Sequence, residues 1–165
     1  MLIFDADGLI KLNRSRVLGL VTRCYESLVP AAVYDEAVVR GAMRGYADAE
    51  EIRRTIEGYA KVTTPDAGFG GRESDDLVTG LGAGETQALH LALQLHQEAP
   101  IVSDDRRFLG VLSELSIPFL IPSDIILGLV RDEFLSVPNS IIAMDALRPF
   151  IRPSDYLEAV EELGE

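Results

Sequence analysis

Asp5 and Asp7 interrupt the apolar opening LIFDADGLIKL, and Asp104 and Asp105 end the apolar run of IVSDDRRF. In both places a short stretch that belongs in a core stops at a carboxylate. A carboxyl at such a point can act as a nucleophile, move a proton or hold a divalent cation. The ordinary alternative is helix capping, because aspartate accepts backbone N–H bonds at a helix start. Capping suits Asp7 and Asp105, and one cap per helix leaves Asp5 and Asp104 without that explanation. Two glutamates add to the pattern. Glu85 in GAGETQALHLAL shares a helical stripe with Ala88, Leu89 and Ala92. Glu36 in VPAAVYDEAVV lies beside Val33 and Ala37, while Asp35 turns outward. A carboxylate buried unpaired in such a stripe costs on the order of several kcal/mol. A first-turn position near the helix dipole is the milder reading of both glutamates.

The elements that must position these acids follow from the apolar periodicity. Strands are expected at Leu2–Asp5, Leu28–Pro30, Lys61–Thr64, Pro100–Ser103 and Pro118–Ile121. Helices are expected near Asp7–Asn13, through Arg14–Arg23, and over Ala31–Gly41, Ala47–Ala60, Thr86–Gln97 and Arg106–Leu115, with Ser123 capping another that reaches Arg131. Residues 66–84 hold six glycines and read as a loop, with a turn of helix near Ser74–Thr79. Strands separated by helices imply an α/β protein whose parallel sheet is covered on both faces. Open parallel sheets bind ligands beyond the carboxyl ends of their strands. Asp5, Glu36, Glu85 and Asp104 all fall on that rim. Four converging carboxylates repel one another, so without a cation at least one should have a raised pKa. Oxygen ligands of this kind suit Mg²⁺ or Mn²⁺. Residues 1–135 make this unit, and 136–165, ending in SDYLEAVEELGE, form a C-terminal helical extension.

With 165 residues and 47% hydrophobic composition the chain buries a proper core, mostly aliphatic because tryptophan is absent. Cys24 is the only cysteine, which excludes an internal disulfide and a cysteine zinc cluster. A reducing, cytoplasmic setting is expected. No signal peptide is read at the N-terminus, and no run approaches the ~20 apolar residues of a membrane span. The net charge of −12 argues against a nucleic-acid partner. The distribution argues otherwise: residues 1–30 carry four basic side chains against three acids, so a polyanion can approach between Lys11 and Arg23. His90 and His96, six apart, make no ligand pair.

In their order and intervals, LIFDADGLIKL, VPAAVYDEAVV, GAGETQALHLAL and IVSDDRRF resemble the PIN-domain nucleases, particularly the VapC-like toxins and their relatives, over about residues 1–135. The resemblance implies a Rossmann-like three-layer fold with about five parallel strands, and metal-dependent hydrolysis of RNA. Carried onto this sequence, it makes Asp5, Glu36, Glu85 and Asp104 the catalytic acids. Asp5, Asp104 and Glu85, with Asp105 as helper, would attend one or two Mg²⁺ or Mn²⁺ ions. Lys11, Arg14 and Arg106 would meet RNA phosphates. An antitoxin protein and a homodimer are implied as partners. Asp7 departs from the family pattern, which more often has a small hydroxyl or amide residue there. LIFDADGLI also imitates the first motif of haloacid-dehalogenase-like phosphatases, with Asp5 as nucleophile. Leu9 stands where those enzymes need threonine, Lys61 is the only lysine after Lys11, and Glu36 and Glu85 would have no role. A third reading is a PIN-like binding module without catalysis, against which the presence of all four acids speaks.

Overall fold

The computed structural model describes residues 1–66 and 78–164. Residues 67–77 of the glycine-rich loop, and with them most of the helical turn expected near Ser74–Thr79, lie outside them. Strand β1 (Leu2–Phe4) leads into α1 (Ala6–Arg14) and α2 (Leu18–Cys24), then β2 (Ser27–Pro30). A single helical run follows, made of α3 (Ala31–Tyr34), a π-helical stretch (Asp35–Arg40) and a last turn, α4 (Gly41–Met43). Then come α5 (Asp48–Tyr59), β3 (Lys61–Thr63), α6 (Ala83–Gln94), β4 (Ile101–Val102), α7 (Arg106–Glu114), β5 (Phe119–Leu120) and α8 (Pro122–Arg131). Helices α9 (Val137–Leu147) and α10 (Pro153–Gly164) complete the described chain, packed on α8 and on each other.

The five strands form one parallel sheet in the order β3-β2-β1-β4-β5. Side chains alternate across each strand, and the two cores show it. Leu2, Phe4, Val29 and Val102 join Leu9, Leu12, Ile52, Ile126 and Met144 on one face. Ile3, Leu28 and Ile101 join Leu89, Phe108 and Leu112 on the other. The fold is therefore the three-layer, Rossmann-like α/β arrangement expected, with five parallel strands. Among the described residues no helix is long and apolar enough to cross a membrane.

The order of winding across the sheet reverses between β1 and β4, which run parallel. The chain builds outward from β1 through β2 to β3, then returns to lay β4 on the other side of β1. Such a switch point opens a crevice at the carboxyl ends of the two strands. Asp5 follows β1 and Ser103 and Asp104 follow β4, so the topology delivers them to one place.

Several boundaries differ from the sequence reading for identifiable reasons. Arg16 takes a left-handed φ of 63°, which ends the first helix and delays α2 to Leu18. Helix α6 begins at Ala83 instead of Thr86, because the Glu85 carboxylate accepts a bond from the Gly82 N–H at 2.7 Å and closes the first turn. Ser123 is buried and does not cap α8. Pro122 opens that helix, and Asp124 accepts from the Ile121 N–H at 3.0 Å.

Candidate acidic site at the sheet switch point

Asp5 is 3% exposed, and both its oxygens are engaged. Oδ1 accepts the Gly8 N–H at 2.6 Å, and Oδ2 accepts the Ser103 hydroxyl. Asp5 is thus the N-cap of α1, with an extended ψ of 175°. This corrects the expectation that Asp7 caps the helix. The helix starts two residues earlier than a cap at Asp7 requires, so Asp7 falls in the first turn, facing a lysine. Burial lifts the Asp5 carboxyl to about 7, against the lowering effect of the Ser103 and Gly8 bonds. Repulsion from Asp7 and Glu85 adds less. The raised carboxyl expected from four repelling acids is present, and desolvation is its main cause.

Lys11 stands among these acids rather than on the open surface. Its Nζ lies 2.7 Å from Asp104 Oδ2 and 2.9 Å from Asp7 Oδ2. The Asp104 contact is a hydrogen bond, and the Asp104 side chain is 5% exposed. The buried Asp7 Oδ2 accepts no well-aligned hydrogen bond, so its contact with the ammonium is ionic. Burial alone would lower the Lys11 pKa, but the hydrogen bond to Asp104 and the charge of Asp7 outweigh it and the net shift is upward.

Glu36 approaches from the π-helical stretch that continues α3, and Glu85 from α6, which packs on α3. Gly84 makes that approach possible: a Cβ there would stand 3.0 Å from Val33 Cγ2 and 3.2 Å from Glu36 Oε2. Gln87 on α6 accepts the Ala32 N–H at 2.9 Å, tying the start of α3 to α6. Glu36 itself is exposed, in the π-helical stretch, so it does not sit in an apolar stripe as expected. The wider π turn changes the angular spacing on which that expectation relied, and such turns are frequent at functional sites. Glu85 reaches Asp5 electrostatically, yet its carboxylate is bonded to Gly82. Among the described residues, no three acids, histidines or cysteines converge on one point that would hold a metal ion. The quartet shares a rim without meeting at its centre.

Asp105 is exposed and accepts the Phe108 N–H at 2.9 Å, capping α7 instead of facing the acids. Alanine at this position should lower stability by about 1 kcal/mol, the ordinary value of an N-cap, and leave most activity intact. Urea unfolding beside a cleavage assay checks this, and a complete loss of activity would place Asp105 in the site after all.

The expected RNA-facing arginines stand apart from the acids. Arg14 is at the far end of α1, a nine-residue helix, or roughly 13 Å along its axis. It pairs with Asp48 at 2.9 Å, lies over the Phe150 ring and lines a cleft of about 670 Å³ with Arg16 and Arg23. Arg106 lines a different cleft with Phe119, Arg152 and Glu158. Neither cleft contains an acid of the quartet.

Sequence reading missed Ser103 and the Lys11 bridge. The i,i+4 spacing of Asp7 and Lys11 was a readable signal. Nothing local signals Asp104, which is 93 residues from Lys11, and Ser103 announced itself only as a hydroxyl ending an apolar strand.

A parallel three-layer α/β sheet with carboxylates at its switch point defines a class of acid-site proteins built on a Rossmann-like frame. Within that class the family is settled by comparison: a family model described as a PIN domain matches residues 1–165, and the chain belongs to the PIN-domain family. No curated protein and no solved structure matches it. Its function is accordingly of nuclease type, and divalent metals are usual in the family. The phosphatase alternative fails here. Leu9 is fully buried in the core, so the position needing a threonine hydroxyl faces apolar side chains.

The donor set fits a hard divalent ion in its chemistry. Among the described residues the nearby side-chain oxygens are those of carboxylates and the Ser103 hydroxyl, Asp5 is buried at a pKa that a cation would bring down, and Asp7 Oδ2 already faces a positive charge.

Proposed function

We propose that this PIN domain is a Mg²⁺- or Mn²⁺-dependent ribonuclease of the toxin-like type, acting on RNA phosphodiester bonds. The observation that carries the reading is Asp5, a carboxyl held in the interior at the β1/β4 switch point with Asp104 beside it on the adjoining strand end. A buried carboxyl with a pKa of about 7 weakens the fold at neutral pH, and functional sites commonly accept such a loss. Asp5 and Asp104 would hold the ion, with Asp7 in the same group of oxygens and Glu36 and Glu85 orienting waters from the neighbouring helices. When bound, the ion would lower the pKa of a water and offset charge at the phosphorus. Ser103 and the Gly8 N–H fix the Asp5 carboxylate in one orientation, and Lys11 offsets the charge of Asp7 and Asp104. Arg16 and Arg23, in the cleft where Asp48 pairs with Arg14 and Glu51 also stands, offer positive charge to the rest of the polyanion. An antitoxin protein and a second copy of the chain belong to the same proposal. The exposed Val39, Met43 and Tyr46 are apolar surface that such a partner would cover.

The test is purified protein on total RNA with Mn²⁺, Mg²⁺ or EDTA, beside p-nitrophenyl phosphate. Cleavage of RNA in the metal arms alone, with the small ester untouched, is expected. Undiminished cleavage in EDTA would sink the metal dependence.

A further inference from the structure

A cation seated among the rim acids belongs to the protein itself. Lys11 Nζ bridges Asp7 on its own helix and Asp104 at the end of β4, at 2.9 and 2.7 Å, and its side chain is 15% exposed. We propose that Lys11 is a built-in counter-ion that holds the acidic site together without metal and must be displaced for a divalent cation to bind, so that this lysine sets the site's metal affinity. The proposal rests on the metal-dependent reading above.

Two observations converge on it. Lys11 crosses the crevice between α1 and β4, the place a ligand occupies at a switch point. Asp7 Oδ2 is buried with no aligned donor, so it is held by charge and is free to exchange one cation for another. An ammonium has three donors and no capacity to coordinate, whereas a divalent ion brings twice the charge to the same oxygens. The flexible four-carbon stem lets the ammonium swing out to solvent without moving the helix.

The experiment compares wild type with Lys11→Met and Lys11→Gln, stripped of metal and titrated with MnCl₂ while free Mn²⁺ is read by electron paramagnetic resonance. Loss of a unit charge a few ångströms from the ion should tighten the Mn²⁺ Kd by about tenfold or more. Both variants should melt below wild type in EDTA and gain more from Mn²⁺ than wild type does. Should Lys11→Met fail to fold in EDTA, recovery of its circular dichroism on adding Mn²⁺ supports the exchange, and Lys11→Gln supplies the affinity. Failure of both variants to fold even with Mn²⁺ overturns the proposal, because the lysine would then be irreplaceable structure. Unchanged Kd values also overturn it, and leave the nuclease reading standing. Absence of Mn²⁺ binding in wild type, together with RNA cleavage in EDTA, removes both.

Discussion

Asparagine at position 5 should abolish RNA cleavage and, in EDTA at pH 8, leave the fold more stable than wild type. The two effects have one origin. Asp5 is buried beside Ser103 at the switch point, and its carboxyl is lifted to about 7, chiefly by burial. A folded-state pKa above the unfolded value means that the folded protein binds the proton more tightly. The contribution of Asp5 is therefore most favourable below about pH 4, is lost as pH rises through about 7, and stays lost above. A shift of about three units corresponds to ~4 kcal/mol as an upper bound. Asparagine keeps an oxygen for the Gly8 N–H but leaves the Ser103 hydroxyl to find a new acceptor, which offsets part of the gain. The expected net stabilisation is about 1–3 kcal/mol at pH 8, shrinking towards zero or reversing near pH 4. Cleavage should fall by about 100-fold or more, beyond the 10–100-fold typical of residues that merely support a metal ligand. Urea unfolding of both proteins at pH 4, 6 and 8 in EDTA reads the first effect. If the variant is the less stable at pH 8, Asp5 serves as a cap before anything else.

Alanine at Gly8 should be among the most damaging single-methyl changes available. A Cβ there would overlap the Val102 carbonyl oxygen, and would lie 3.0 Å from its carbon and 3.1 Å from Asp5 Oδ1. The obstacle is backbone, and it is fixed: the same carbonyl accepts the Asp5 N–H at 3.2 Å. Helix α1 must therefore lift away from β4. Overpacking of this kind costs typically about 1–3 kcal/mol, and the gain in helix propensity, at most ~1 kcal/mol, only partly offsets it. A net loss of about 2 kcal/mol is expected. Because the shift falls between Asp5 and Asp104, Mn²⁺ affinity and cleavage should drop with it. Calorimetric melting and a Mn²⁺ titration give the answer, and a variant melting within a degree of wild type would remove the steric account. The glycine that makes the first motif look like a phosphatase loop is thus required by helix–sheet contact.

The sequence by itself determined a good deal of this protein. Alternating Leu2, Ile3 and Phe4 must face opposite layers, and helical stripes between short strands must cover both faces of a parallel sheet. Acids that end strands or open helices then fall on one rim, which is how Asp5, Glu36, Glu85 and Asp104 could be named before any coordinates. These are consequences of local periodicity, and local periodicity is what a sequence displays. Tertiary structure alone decided the rest. Whether Asp5 or Asp7 caps α1 turns on two residues of helix boundary, set by the fit of Gly8 against Val102. Glu36 left its stripe because the helix widened to a π turn, which a period of 3.6 does not anticipate. Arg14 and Arg106 went to separate clefts, since charge in a sequence carries no direction. Lys11 found Asp104 across 93 residues because β4 returns to lie beside β1. Pairing at that separation leaves no local trace, as strand order is decided only when the sheet closes its two cores.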